Sequence, residues 1–372
     1  MVRESLILPC SPAPLPPCSL PRRFFVKVKD IGEQGLLERL QRFCPTEIIG
    51  DDAAVITTSP EKSLVVTTDM LVDGVHFSDA TTNPEDVGWR SAAANLSDLA
   101  AMGATPLGIT VALGLPGEVS VEWVERLYKG MDECLKLHQT PIVGGDVCRS
   151  PVITVAITAF GEVEPNQTIY RHTAQVGDAI AITGFHGASR AGLELLLHPE
   201  IGQNLSDRDR AFLIQAHQRP KPRLDVLPIL QEILAGDVGK AKRAFNSEFR
   251  IPNSEFPISG MDSSDGLADA IVQICAMSNV GARIDRDRIP IPPALSNLVT
   301  AEQAVEWALY GGEDFELVLC LPQQLAEAPI EHLGEGAAII GEITAESAII
   351  LGDRTNKNPD RILSRDRGFQ HF

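Results

Sequence analysis

Apolar and polar positions along the chain keep two different periods. After Gly32, the residues Leu36, Leu37, Leu40 and Phe43 recur at helical spacing, which predicts an amphipathic helix. Apolar runs over residues 53–58 and 64–71 predict strands. Asn83-Pro84, a cap residue followed by a first-turn proline, opens a helix that closes near Gly103. A strand over 107–115, a helix over 121–138, a strand over 141–143 and a long strand over 152–163 complete a first α/β unit. Residues 164–177 read as a linker. The second half opens with a strand at 179–183, continues with helices around 193–197, 211–218 and 224–234, and has later strands at 315–321 and 337–343. Alternation of helices and strands in both halves predicts an α/β (α+β) protein of two domains, at 27–165 and 175–372.

Two segments stand apart. The first 26 residues, with Pro12, Pro14, Pro16, Pro17 and Pro21 and then Arg22-Arg23, can form neither a helix nor a signal-peptide core and read as a disordered leader. Asn-Ser-Glu-Phe recurs at Asn246 and Asn253, a period of seven. Pro252 and the brevity of the repeat argue against a coiled coil, so 237–257 reads as a loop insertion.

The helix through Asn95 carries a polar stripe, Ser91, Asn95 and Asp98, at i, i+4 and i+7. Ala92, Ala93, Ala94, Leu96, Leu99, Ala100 and Ala101 make its other faces apolar. Such a helix is buried, and its stripe must be satisfied by an internal network or by a metal or ligand in a cleft.

Charge and cysteines narrow the function classes. With 50 acidic against 32 basic residues, the 372-residue chain carries a formal charge of −18. That excess excludes nucleic acid as a main partner, because binding a polyanion relies on clustered Lys and Arg. No run approaches the ~18 uninterrupted apolar residues of a membrane-spanning helix. Seven scattered cysteines without a C-x-x-C pair form neither a disulfide framework nor a zinc site, and point to reduced thiols in a cytoplasmic protein.

Within the acidic excess, carboxylates recur beside glycines and strand ends. They are Gly50-Asp51-Asp52, Thr67-Thr68-Asp69, Asn95-Leu96-Ser97-Asp98, Gly144-Gly145-Asp146, Asp262-Ser263-Ser264-Asp265-Gly266 and Gly311-Gly312-Glu313-Asp314. A buried strand ending in hydroxyls and a carboxylate, as at Asp69, delivers short oxygen ligands to its terminus. At Asp146, two preceding glycines let backbone amides approach a phosphate. Each stretch alone reads equally as a turn or cap. So many carboxylates in one site require cations, and Mg²⁺ takes hard oxygen ligands while sharing them with substrate phosphates. The chemistry this points to is phosphoryl transfer. A P-loop is absent, since Gly239-Lys240 lacks both the upstream glycine and the following Ser or Thr. The protein-kinase signatures are absent as well.

Taken together, Gly50 to Val55, Thr67 to Phe77, Asn95 to Ala104, Gly144-Gly145-Asp146, Ser264 to Leu267 and Gly311 to Leu317 resemble the thiamine-monophosphate kinase family. The likeness runs from about Gly32 to the terminal Gly368-Phe369-Gln370-His371-Phe372. It implies a two-domain aminoimidazole ribonucleotide synthetase-like fold, with first-domain strands pairing across a homodimer and a C-terminal α/β domain. It also implies ATP-dependent, direct in-line phosphorylation of thiamine monophosphate to thiamine diphosphate with several Mg²⁺ ions. By position, Asp52, Thr67, Thr68, Asp69, Asp98, Asp146, Asp262 and Asp265 would ligate metal. Tyr128, Gly145, Asp146, Arg171 and Ser264 would hold ATP, and His76, Glu313 and Phe369 would contact thiamine monophosphate. Asp314 belongs to the same acidic set. The chain departs from the family at Val147 and Cys148, where threonine is usual, at Met261 to Ser264, where a more apolar strand end is usual, and at Phe369, where tyrosine is common.

These roles are chemically consistent. Arg171 can make paired hydrogen bonds to phosphate, His76 can donate to the attacking monophosphate, and the Phe369 ring can stack on thiamine. A phosphate nucleophile is already ionised near neutral pH, so positioning and charge neutralisation replace a general base. Two other readings differ in testable ways. A related ATP-using synthetase of the same superfamily would favour a reactive thiol early in the first domain, where Cys44 lies on the amphipathic helix. A catalytically inactive nucleotide or thiamine-phosphate binding protein would have lost Asp69, Asp98 or Asp146, and all three are present.

Overall fold

The computed structural model describes residues 25–46, 53–233, 258–353 and 359–368. The proposed leader up to residue 24, the insertion at 237–257, Asp52 and Phe369 lie outside the described residues.

The first half folds as a four-stranded sheet covered on one side by helices. Its strands are β1 (Ser63–Val72), β2 (Thr105–Leu115), β3 (Ile142–Arg149) and β4 (Thr154–Val163), in the order β1-β4-β2-β3. The covering helices are α1 (Val28–Leu40), α2 (Pro84–Ala101) and α3 (Val121–Leu137). In α2 the side chain of Asn83 accepts from Asp86 N at 3.1 Å and Pro84 follows in the first turn, which is the start signal read from the sequence. Along β1, Val65, Thr67, Asp69 and Leu71 face α2, while Leu64, Val66 and Met70 stay more than half exposed on the other side. Among the described residues, one face of this sheet is therefore uncovered.

The second half is a seven-stranded mixed sheet in the order β11-β10-β7-β9-β5-β8-β6. Its strands are β5 (Asp178–Ile182), β6 (Ser259–Asp262), β7 (Gly281–Asp285), β8 (Leu317–Pro322), β9 (Ala338–Thr344), β10 (Ile349–Gly352) and β11 (Arg361–Ile362). The helices are α4 (Ala188–Leu197), α5 (Asp207–Gln218), α6 (226–233), α7 (Leu267–Ser278), α8 (Ala301–Tyr310) and α9 (Gln323–Leu333). Apolar clusters fill both faces, with Ile180, Ile271 and Ile284 on one and Leu227, Leu319 and Leu321 on the other.

Three expectations need correction. Residues 53–58 form no strand. The predicted strand at 141–143 runs on to Arg149, for β3 is paired with β2 alone among the described residues, and its exposed side tolerates Gly144 and Gly145. Asp69 and Asp146 consequently lie inside strands rather than at their ends.

Candidate active site

Buried from end to end, α2 carries two polar stripes rather than one. The predicted stripe faces β1. Ser91 Oγ donates to Val87 O (2.7 Å), Asn95 Nδ2 donates to Ser91 O (3.0 Å), and Asn95 Oδ1 accepts from Asp69 N (3.2 Å). Those two residues are thus satisfied internally, whereas Asp98 accepts from the Thr67 hydroxyl and continues into a carboxylate cluster. The second stripe, Asp86, Arg90 and Ser97, follows the same face at i, i+4 and i+11 and meets the second domain. Arg219 Nε donates to Asp86 at 2.6 Å, Arg90 pairs with Glu313, and Ser97 Oγ donates to Asp262 Oδ2 at 2.7 Å.

At the end of β6, Asp262 is 2% exposed and also accepts from Ser264 Oγ at 3.0 Å. The following turn needs glycine, because Gly266 has φ +111° and a Cβ there would meet Leu309 O at 2.8 Å. Asp69, Asp98 and Asp262 are close enough to raise one another's pKa. Burial, followed by the charges of Asp262 and Asp265, pushes Asp69 up to about 6. Burial and the charge of Asp69 do the same to Asp98, and burial and Asp98 to Asp262, each up to about 6. Arg171 opposes the shift at both Asp98 and Asp262, and its Nη1 is held by Gln273 Oε1 at 2.9 Å. Among the described residues, no three carboxylate, histidine or cysteine side chains converge on a single metal position.

The acceptor candidates lie on two turns. His76 follows β1, and its Nδ1 accepts from Val72 N at 3.1 Å, an assignment that leaves the proton on Nε2. Glu313 adopts φ +59° between Gly312 at +67° and Phe315 at +53°, and its N–H donates to Ser264 O at 2.6 Å. A run of left-handed residues is strained, and the surroundings hold it in place. Asp314 provides one anchor, for its oxygens accept from Gly187 N (2.7 Å) and Ser189 N (2.9 Å) at the start of α4. Burial pushes its pKa up to about 7. Asp314 therefore braces the Glu313 turn against α4.

Other assigned residues are placed elsewhere. Thr68 lies on the uncovered face of the sheet, 2.5 Å from Thr158 Oγ1. Asp146 shares that face, exposed, in register with Ala112 of β2, Ala156 of β4 and Met70 of β1. It is three strands from β1, so within one chain it does not join Asp69. Gly145 is exposed beside it, and a Cβ there would meet Val111 O at 2.3 Å. Tyr128 is 4% exposed and packs on Phe43 with ring centroids 5.6 Å apart, so it belongs to the first core rather than to an open nucleotide surface. Asp265 is exposed on the turn after β6. Sequence reasoning missed Arg90 and Ser97. The signal available for Arg90 was a charged residue in a helix otherwise apolar enough to be buried.

Comparison with known proteins fits this architecture. The AIR synthase related protein N-terminal domain matches residues 50–163, and the C-terminal domain of the same family matches 175–353. A thiamine-monophosphate kinase of Synechococcus elongatus is 51% identical over 349 residues, 93% of this chain and 98% of that protein. The enzyme of Escherichia coli K12 is 35% identical over 327 residues, 87% of this chain and 91% of its own. Among solved structures, the thiamine-monophosphate kinase of Stenotrophomonas maltophilia superposes with a TM-score of 0.67 at 33% identity, covering 86% of this chain and 94% of that one. AaThiL complexed with AMPPCP and TMP superposes at 0.65 with 28% identity, over 91% and 99%. Hydrogenase maturation protein HypE, at 19% identity and a TM-score of 0.66, shares the fold. Two such domains joined through a buried, carboxylate-bearing helix define an AIR synthase related protein. Within that class, the chain belongs to the thiamine-monophosphate kinase family.

Proposed function

We propose that the chain transfers the γ-phosphoryl group of ATP to thiamine monophosphate, giving thiamine diphosphate and ADP, at the seam between α2 and β6. The observation that carries this reading is the proximity of Asp69, Asp98 and Asp262, drawn from two domains and near enough for their charges to act on one another, each with its carboxyl pKa pushed up to about 6 by burial and by its neighbours. In such a cluster burial and mutual repulsion outweigh the opposing charge of Arg171, and its all-oxygen donor set suits Mg²⁺. Thr67, Asp69, Asp98, Asp262 and Asp265 would hold the ions. When bound, they supply charge neutralisation on the phosphate oxygens.

The chain's own groups do the rest. Ser97 and Ser264 fix the Asp262 carboxylate from two sides. Arg171, held by Gln273, offers a planar guanidinium to the nucleotide phosphates. His76 with its proton on Nε2 donates to the acceptor monophosphate, and Glu313 holds the thiamine portion. The acceptor oxygen is already ionised near neutral pH, so the rate rests on alignment and charge neutralisation rather than proton removal.

The uncovered sheet face supports a homodimer. Leu64, Val66 and Met70 are 52%, 55% and 53% exposed on the outward side of β1, with Thr68 between the last two, an apolar strip that a second copy would cover. Thr68 and Asp146 share that face and would lie at the interface.

Purified protein with ATP, thiamine monophosphate and titrated Mg²⁺ should form thiamine diphosphate and ADP in equal amounts, and chelation should stop both. ADP without thiamine diphosphate, or no product at any Mg²⁺ concentration, would overturn the reading.

A further inference from the structure

Arg90 projects from α2 into the junction of the two domains at 3% exposure. Its Nη1 donates to His217 O of α5 at 2.6 Å and lies 3.1 Å from the ring Nδ1 and 3.2 Å from Nε2 of the same residue. Its Nη2 pairs with the Glu313 carboxylate and reaches His76 O at 3.5 Å. One guanidinium thus touches both acceptor candidates, one from each domain.

The histidine behind it is built to support that arrangement. Burial, then the charges of Arg90 and Arg190, hold His217 neutral, with its pKa pushed down to about 2. A neutral ring places no charge against the Arg90 guanidinium, and its Nδ1 stands 3.2 Å from Ser189 Oγ and 3.4 Å from Glu313 Oε2. Arg90 pairs with Glu313 Oε1, and Oε2 faces the His217 ring. Ser189 in turn starts the helix whose N–H groups hold Asp314. The strained Glu313 turn is fixed from below by α4 and from the side by α2.

We propose that Arg90 is a positioning residue for the phosphate acceptor: with His217 as its backing, it sets the Glu313 carboxylate and the His76 turn at one fixed separation. The proposal rests on the reading of His76 and Glu313 as thiamine-monophosphate contacts. Arginine suits the task because its flat fork reaches three groups at once, whereas a lysine ammonium is a compact point charge on a flexible stem. A purely structural ion pair would lower stability without distinguishing the two substrates. A positioning residue for the acceptor distinguishes them, because the side chains of the nucleotide candidates Arg171 and Ser264 bond to Gln273 and Asp262 rather than to Arg90, and the acceptor turn meets Ser264 only through the backbone bond from Glu313 N.

The test is steady-state kinetics of Arg90→Lys and Arg90→Gln with each substrate varied in turn, alongside thermal unfolding. Arg90→Lys should fold and raise KM for thiamine monophosphate about tenfold, as expected for a lost charge-assisted hydrogen bond, with KM for ATP within about twofold of wild type. Arg90→Gln should raise it further, and where that variant fails to fold, Arg90→Lys decides alone. Adding Glu313→Gln to Arg90→Lys should cause less further loss than Glu313→Gln causes in the wild type, because the two residues act as a unit. An unmoved acceptor KM, or an equal rise in both KM values, would overturn the proposal. Wild-type turnover separates the two readings: its absence overturns the proposed function and this inference together, while normal wild-type turnover with an unmoved acceptor KM in Arg90→Lys overturns this inference alone.

Discussion

Ser97 of the first domain donates its hydroxyl hydrogen to Asp262 of the second at 2.7 Å, and both are buried, at 0% and 2% exposure. The bond joins the two halves of the carboxylate cluster through a neutral group. Removing it leaves Asp262 with Ser264 as its remaining hydroxyl donor. Ser97→Ala should raise the Mg²⁺ concentration for half-maximal activity by about threefold to tenfold, as the loss of one hydrogen bond to a charged group implies. A Mg²⁺ titration of activity checks this, and an unchanged midpoint would show that Asp262 needs no such support.

Asp69 illustrates a conflict between stability and function. Burial and the charges of Asp262 and Asp265 raise its pKa, so its ionised form opposes folding of the metal-free protein. Asp69→Asn should therefore leave the melting temperature in chelator equal to or above that of wild type, while turnover falls by about a hundredfold or more. Differential scanning calorimetry and the coupled ADP assay give the two numbers. A large loss of stability would mean that the carboxylate is structural.

The apolar strip on β1 predicts its own test. Val66→Glu places a charge at an outward position that is 55% exposed in the single chain, so the monomer should tolerate it. Sedimentation should show a dimer for wild type and a monomer for the variant, with loss of turnover as Thr68 and Asp146 lose the opposing surface. A dimeric variant would move the interface elsewhere.

Asp178 governs part of the pH dependence of stability away from the site. Its Oδ2 accepts from Gln175 N at 2.8 Å, yet burial dominates and pushes its pKa up to about 6. A folded pKa above the unfolded value means that the folded state binds more protons in between. This contribution to stability is therefore complete at low pH and is lost as pH rises from about 4 to about 6. Asp178→Asn should flatten that fall and be more stable than wild type at pH 7, by about 2 kcal/mol. Melting temperatures across this range check it, and parallel profiles would contradict it.

The sequence disclosed those parts of the fold that rest on local rules. The cap at Asn83, the apolar run of β1 and the extent of α3 all follow from local sequence rules, and their bounds agree with the structure to within two residues, although β1 was read as buried and has one exposed side. Where tertiary pairing overrides local preference, the reading stopped short. β3 continues through two glycines because β2 supplies a ladder for them, and 53–58 forms no strand despite its apolar run. The cluster of Asp69, Asp98 and Asp262 was legible as motifs drawn from both domains, but the hydroxyl bond from Ser97 to Asp262 that joins its halves was not. Ser97 was hidden among the small residues of a buried helix, and its partner lies 165 residues away. Asp146 carried a motif that says nothing of which sheet face it occupies. Register decides that, and it places Asp146 with Met70 rather than with Asp69.

The central claim is that carboxylates from both domains form one metal-dependent nucleotide site facing the acceptor turns. Crystals grown with Mn²⁺, a non-hydrolysable ATP analogue and thiamine monophosphate, and measured for anomalous scattering, test it most directly. The account predicts manganese peaks bounded by Asp69, Asp98 and Asp262 and shared with the analogue's phosphates, with the thiamine phosphate within reach of His76 and Glu313. Peaks away from these carboxylates, or an acceptor bound elsewhere, would contradict it.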